Sequence, residues 1–219
     1  MNNHRLCSII VSLLCVAGLA ASTGIAQPAG APPAAAPVPS SIGTTSPGGQ
    51  TRLSPHATTS EYIGPGRTNL ITIIYGRPYT IKPGTTLVRK VWGKDSSGKD
   101  GLVPWDKADR LGADESTLIV TPVPLEIAGT TVPAGVYTLY IIPSENGTSK
   151  LAFSTAIGKW GIRVDETHDL ARFDLQKETL PTPVDQLTIV VAKEPSTNSG
   201  VIKIMWETTQ FSLPFAVKK

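Results

Sequence analysis

The stretch VIKIMWETTQFSLPFAV, residues 201–217, alternates apolar and polar side chains over almost its whole length. Extended backbone places every second side chain on the same face. Ile202, Ile204 and Trp206 then share one face, and Val201, Lys203 and Met205 take the other. Glu207-Thr208 reads as a turn. After it Phe211, Leu213, Phe215 and Val217 line up again, with Gln210 and Ser212 facing away. A period of two with one wet face belongs to antiparallel sheets. The same pattern recurs in QLTIVVA, through Leu187, Ile189 and Val191, and in VYTLYII, through Tyr137, Leu139 and Ile141. Further strands are predicted at 70–75, 86–91, 117–121, 124–127, 150–154 and 171–176.

Turn chemistry separates these runs. Gly129 follows Leu125-Glu126-Ile127, and Val132-Pro133-Ala134-Gly135 suits a type I turn. Glu145-Asn146-Gly147 is a hairpin signal, and the stretch from Glu194 to Gly200 is a longer loop. Nineteen prolines argue against long helices. One short helix fits at 104–111 or near 165–170. Short, regularly spaced strands of this kind predict an all-β fold, an antiparallel β-sandwich of jelly-roll or related type.

The domain does not start at Met1. His4 and Arg5 precede an apolar run from Leu6 to Ala21, which is short of the roughly 20 residues that span a bilayer. Small residues follow, and cleavage fits after Ala21 or after Ala26, so residues 1–26 read as a secretory signal peptide. An uncleaved anchor is the alternative. Both cysteines, Cys7 and Cys15, lie in this segment, so the exported chain has no disulfide to stabilise it. Residues 27–50 are rich in Pro, Ala, Gly and Ser and carry no charge. Such a segment buries too little surface to offset its ordering entropy and reads as a disordered, semi-extended linker. Residues 51–219 form the predicted domain. Export to the periplasm or the medium is expected, with no membrane association once the leader is gone.

The formal charge is +3 and falls to +2 when Arg5 leaves with the leader. No basic run interleaves with aromatic residues, so nucleic acid is not an expected partner. No pattern fixes an oligomeric state.

Several phrases together resemble the DUF2911 family of bacterial, mostly exported domains of unknown function. They are SPHATTSEYIG (54–64), ITIIYGRP (71–78), LVPWDKADRLGADEST (102–117), VPAGVYTLYIIP (132–143), KWG (159–161) and the closing VIKIMWETTQFSLPF. The resemblance runs in order from Leu53 to Val217 and implies no particular activity. Against the family pattern Arg110, Gly112, Ala113, Glu115 and Thr117 match. Asp109 stands where a tryptophan is usual and Asp114 where an asparagine is. KDSSGKDG, residues 94–101, reads as an insertion.

The candidate chemistry centres on the ionic stretch GLVPWDKADRLGADESTLIV, residues 101–120. Arg110 offers a planar fork for a carboxylate or phosphate. Arg77 ends its strand on the parity of the core residues Ile71, Ile73 and Tyr75, so it needs a partner, and Glu115 is the expected one. An internal Arg–Glu bridge that pins a loop is one reading, and a ligand site is the other. His56, Arg77, Arg110, Asp114 and Glu115 are expected at the polar end of such a site, with Trp105 as its apolar wall.

Metal is not predicted. Zinc sites draw on Cys and His, and the exported chain keeps only His56 and His168. His168 reads as part of a solvated acidic loop. The insertion lacks the spacing of a calcium loop and reads as mobile. No cofactor is implied, and neither a nucleophile elbow nor a phosphate-cradling glycine loop occurs. On a strand, adjacent Asp114 and Glu115 would point to opposite faces, which excludes a carboxylate dyad there. The leading expectation is an exported, non-catalytic domain that binds a small polar ligand or a cell-envelope component. The alternatives are a hydrolase using His56 as base with Glu115 as its orienter or acid, and a structural or protein-interaction module.

Overall fold

The structure, a computed structural model, describes residues 40–41, 52–159, 163–194 and 198–218. All of these fall in one compact unit, Ala36–Lys219. The other unit, Met1–Ala35, lies outside the described residues, as do the leader, most of the linker, Trp160 and Gly161. Among the described residues no helix is long and apolar enough to cross a membrane.

Twelve strands are described. They are β1 (Ser40–Ser41), β2 (His56–Tyr62), β3 (Leu70–Gly76), β4 (Asp109–Arg110), β5 (Thr117–Thr121), β6 (Leu125–Ile127), β7 (Thr130–Val132), β8 (Gly135–Ile142), β9 (Lys150–Ser154), β10 (Asp169–Asp174), β11 (Gln176–Lys193) and β12 (Ser199–Val217). A 3₁₀ turn at Glu166–His168 is the single helical element among the described residues, at the second of the two predicted places. One sheet runs β1-β2-β3-β5-β8-β9-β10, with β4 added to β8, and the other runs β11-β12-β6-β7. Every strand pairing is antiparallel. The predicted β-sandwich is present.

The alternating residues form the interior. Ile71, Ile73 and Tyr75 of β3, Leu139 and Ile141 of β8, and Ile189 and Val191 of β11 are buried in one cluster with Ile202, Ile204, Trp206, Phe211, Leu213 and Phe215 of β12. Each large apolar side chain moved from water contributes on the order of 1.5–3 kcal/mol, so this core carries a fold that has no disulfide.

The predicted turn at Glu207-Thr208 is absent, because β12 runs unbroken from Ser199 to Val217. Trp206 and Phe211 are nevertheless both buried although five residues apart, which a regular period of two forbids. Glu207 resolves the mismatch with φ 51, a left-handed residue that shifts the parity. The partner strand adapts too: its pairing jumps from Thr179↔Thr209 to Val184↔Glu207. Gln210 and Ser212 alternate as expected yet are buried, with Gln210 Nε2 3.0 Å from Glu178 Oε2 on β11.

One further expectation fails, and one of the two alternative helix positions is not taken. Residues 86–91 form no strand; Leu87 and Val88 are exposed, and only an isolated bridge, Ile81↔Val88, joins this loop to itself. Residues 104–111 form no helix but a turn leading into β4. Residues 94–101 close a tight turn, in which Asp95 Oδ1 accepts from the Ser97 amide at 2.8 Å and the Lys99 amide at 3.1 Å, with an isolated backbone bridge between Lys94 and Asp100.

One seam between the sheets is sealed by side chains. The Tyr75 hydroxyl accepts from the Ile189 amide at 2.8 Å and donates to the Ile189 carbonyl at 3.2 Å. Thr59 Oγ1 accepts from the Val191 amide at 3.3 Å. Polar groups on the free edge of β11 thereby find partners where no strand lies beside them. Burial pushes the Tyr75 hydroxyl up to about 12, so it stays protonated and can donate.

Candidate functional site: an arginine-filled cluster beside a polar cleft

His56 opens β2 and pairs with Gly76 at the end of β3. The chain from Arg110 to Thr117 crosses directly over Gly76. A Cβ at Gly76 would lie 2.1 Å from the Ala113 carbonyl oxygen, so only glycine admits this approach. Gly112, at φ 133, and Asp114, at φ 65, then turn the crossing chain back toward β2. Asp and Asn adopt the left-handed region more readily than other residues with a Cβ. Asp114 is therefore off any strand, and the alternation argument that separated it from Glu115 does not apply. Both carboxylates reach the same cation.

That cation is Arg52, three residues before the predicted Pro55-His56 pair and absent from the expected site. Its Nη1 lies 2.5 Å from Glu115 Oε2, 2.8 Å from His56 Nε2 and 3.3 Å from Asp114 Oδ2. Its Nη2 donates to Glu115 Oε1, completing a two-pronged fork. The Arg52 side chain is only 7 % exposed, while Asp114 and Glu115 remain 29 % and 33 % exposed. Hydrogen bonds from Arg52 hold the Glu115 carboxyl down at about 2 against the opposing effect of burial. Glu115 is thus ionised at neutral pH and cannot serve as a general acid. It can orient His56, whose Nε2 stands 2.7 Å from Oε2.

Ligand atoms of His56, Asp114 and Glu115 lie within 4.8 Å of one another, a set that could hold a divalent ion. The Arg52 nitrogen is at hydrogen-bonding distance from a donor atom of each. In this structure the guanidinium is the cation that the set holds.

Arg77 is not a member. Its Nε donates to the Leu187 carbonyl at 3.2 Å and its Nη2 to Thr188 Oγ1 at 3.2 Å, so the expected Arg77–Glu115 bridge is replaced by a contact to β11. His168 lies apart as predicted, 55 % exposed and 3.0 Å from Asp165.

Asp114 also lines a cleft of about 610 Å³, together with Asp109, Arg110, Arg89 and Lys82. This volume falls within the range of about 300–1,000 Å³ common for small-molecule sites. Short β4 sets Asp109 and Arg110 there by pairing them with Ile141 and Tyr140 of β8. Arg110 makes no ion pair or side-chain hydrogen bond among the described residues. Burial pushes Asp109 up to about 6, with the neighbouring Arg110 opposing the rise. Arg110 also borders a second space of about 20 Å³ beside Ser116, Thr138 and Tyr140, room for one water-sized molecule.

Trp105 is elsewhere. It borders a different cavity with Trp92 and three lysines, none of which touches the Arg110 cleft. Of the six expected site residues, the structure joins His56, Asp114 and Glu115 in one cluster, places Arg110 in the adjoining cleft through shared Asp114, and sets Arg77 and Trp105 apart. Arg52, Asp109, Arg89 and Lys82 were not anticipated. Arg52 was legible only as a lone basic residue beside the start of β2.

No curated protein and no solved structure matches this chain. One family profile, described as a protein of unknown function, matches residues 54–215. That span takes in the crossing loop, β2 to β11, most of β12 and every cluster residue except Arg52, and the chain belongs to the DUF2911 family.

Proposed function

We propose that the exported domain, periplasmic or secreted, binds a small anionic ligand in the Arg110 cleft without transforming it. The supporting observation is the contrast among three arginines. Arg52 is engaged by Glu115, Asp114 and His56, and Arg77 by β11. Arg110 lines the cleft with its fork unused among the described residues. A guanidinium in that state suits a carboxylate or phosphate that accepts two parallel hydrogen bonds. Lys82 and Arg89 add positive charge on the same walls.

The hydrolase reading has one favourable distance, the 2.7 Å between His56 and Glu115. Against it, Arg52 occupies both oxygens of Glu115, and neither His56 nor Glu115 borders the cleft.

The test is isothermal titration of inorganic phosphate and citrate into the wild type and Arg110→Gln. A charge-assisted pair contributes about 1.5–3 kcal/mol, so the variant should bind the preferred anion roughly 10- to 100-fold more weakly while melting within a few degrees of the parent. A large drop in melting temperature with unchanged anion affinity would make Arg110 a structural residue.

A further inference from the structure

We propose that the cavity beside Trp92 and Trp105 is a second binding site, specific for an acidic saccharide. Its volume is about 550 Å³ and its rim carries Lys90, Lys94, Lys107, Asp100 and Glu145. None of these residues borders the Arg110 cleft, so this site stands or falls independently.

The wall is a fixed aromatic platform. Trp92 and Trp105 stack with ring centroids 6.2 Å apart and planes inclined by 16°. Trp92 is itself held edge-on against Trp206 and Phe211, at 6.2 and 5.3 Å, and donates its indole N–H to the Trp206 carbonyl at 3.3 Å. Gly93 seats the second indole. With φ +71 and no side chain it lets Trp105 come so close that a Cβ would stand 2.0 Å from the indole nitrogen. The platform is therefore built before any ligand arrives, which lowers the ordering cost of binding.

The rim supplies the rest of a sugar site. A pyranose offers an apolar C–H face to an indole and a ring of hydroxyls to polar side chains. Asp100 and Glu145 can accept from hydroxyls, and the lysines can donate to them. The charge is biased positive, since three lysines face two carboxylates, and outside the lining Lys177 holds its ammonium 4.9 Å from the centre of the Trp105 ring. This excess of positive charge on the rim selects a uronic or other carboxylated sugar.

The experiment titrates trigalacturonic acid and maltotriose into the full chain, followed by calorimetry and tryptophan fluorescence. Trigalacturonic acid should bind one to one, at least tenfold more tightly than maltotriose, and perturb the fluorescence. Trp105→Ala should weaken it tenfold or more. Lys107→Gln, at an exposed rim position whose loss leaves the fold intact, should weaken it several-fold and flatten its salt dependence. Arg110→Gln should leave it unchanged, even if the anion site in the other cleft fails. Absence of binding to the wild type, affinity untouched by Trp105→Ala and Lys107→Gln, or equal affinity for maltotriose would each overturn the proposal.

Discussion

Asp109 shows what a single carboxyl costs when the fold half-buries it. Its pKa rises to about 6 because burial penalises the charge more than Arg110 relieves it. A carboxyl with a raised folded-state pKa contributes most below its ordinary value near 3.8, and that contribution is lost as the pH climbs through about 6. At pH 8 the ionised form is a burden. A tenfold change in proton affinity corresponds to about 1.4 kcal/mol, and solvent screening at this partly open position reduces the total to an effect on the order of 1–2 kcal/mol. Asp109→Asn is expected to raise the melting temperature at pH 8 and leave it unchanged at pH 3.5, as read by scanning calorimetry at both values. Equal effects at the two values would contradict the burial argument. Arg52 makes a complementary point about legibility. The charges of the 101–120 stretch were visible in the sequence, and so was the need of an arginine for a partner. Which arginine would meet Glu115 depended on Gly76 and the left-handed Asp114, because those residues decide where the crossing loop passes. Neither conformation leaves a periodic trace.

At the scale of elements, strands whose two faces differ in polarity were readable and those bounded by irregular backbone were not. β3, β5 and β8 appear close to their expected limits because their inward faces alternate with less buried residues, and β9 matches its expected limits although both of its faces are buried. β12 reads in sequence as two strands, since a parity break looks the same whether the chain turns back or bulges. The loop at 86–91 carries the apolar residues of a strand but pairs only through the isolated bridge Ile81↔Val88, so Leu87 and Val88 face water while Val91 is buried. The seam along β11 makes the same dependence measurable. Tyr75 serves both polar groups of Ile189 through one hydroxyl. Tyr75→Phe keeps the ring and strips both hydrogen bonds, leaving a buried amide and carbonyl unmatched. Chemical denaturation should show a loss of about 2 kcal/mol with no change in the denaturant slope. The outer half of the same strand, from Gln176 to Val184, has a different protection. It is largely exposed, and Pro181 and Pro183 remove amide donors from an edge that another chain could otherwise extend.

At the scale of the whole molecule, the chain visits the second sheet twice. β6 and β7 leave the first sheet and return to it through β8, and β11 and β12 complete the second sheet at the end of the sequence. β6 then waits for the last residues of the domain, since Leu125 pairs with Val217. Pairings so distant in sequence close large loops before they gain contacts, which slows folding. Stopped-flow refolding, followed through the buried Trp92 and Trp206, should therefore take milliseconds to seconds; completion in microseconds would mean that the core forms without the β6–β12 pairing. The way the chain enters this architecture has a mechanical corollary. Tension applied ahead of Ser40 would first peel the two-residue β1 from β2 and then arrive at Arg52, whose guanidinium is anchored to Glu115 on the far side of β3. The ladder of β2 is loaded only after that anchor gives way, so the domain carries a fuse between whatever pulls on it and its core.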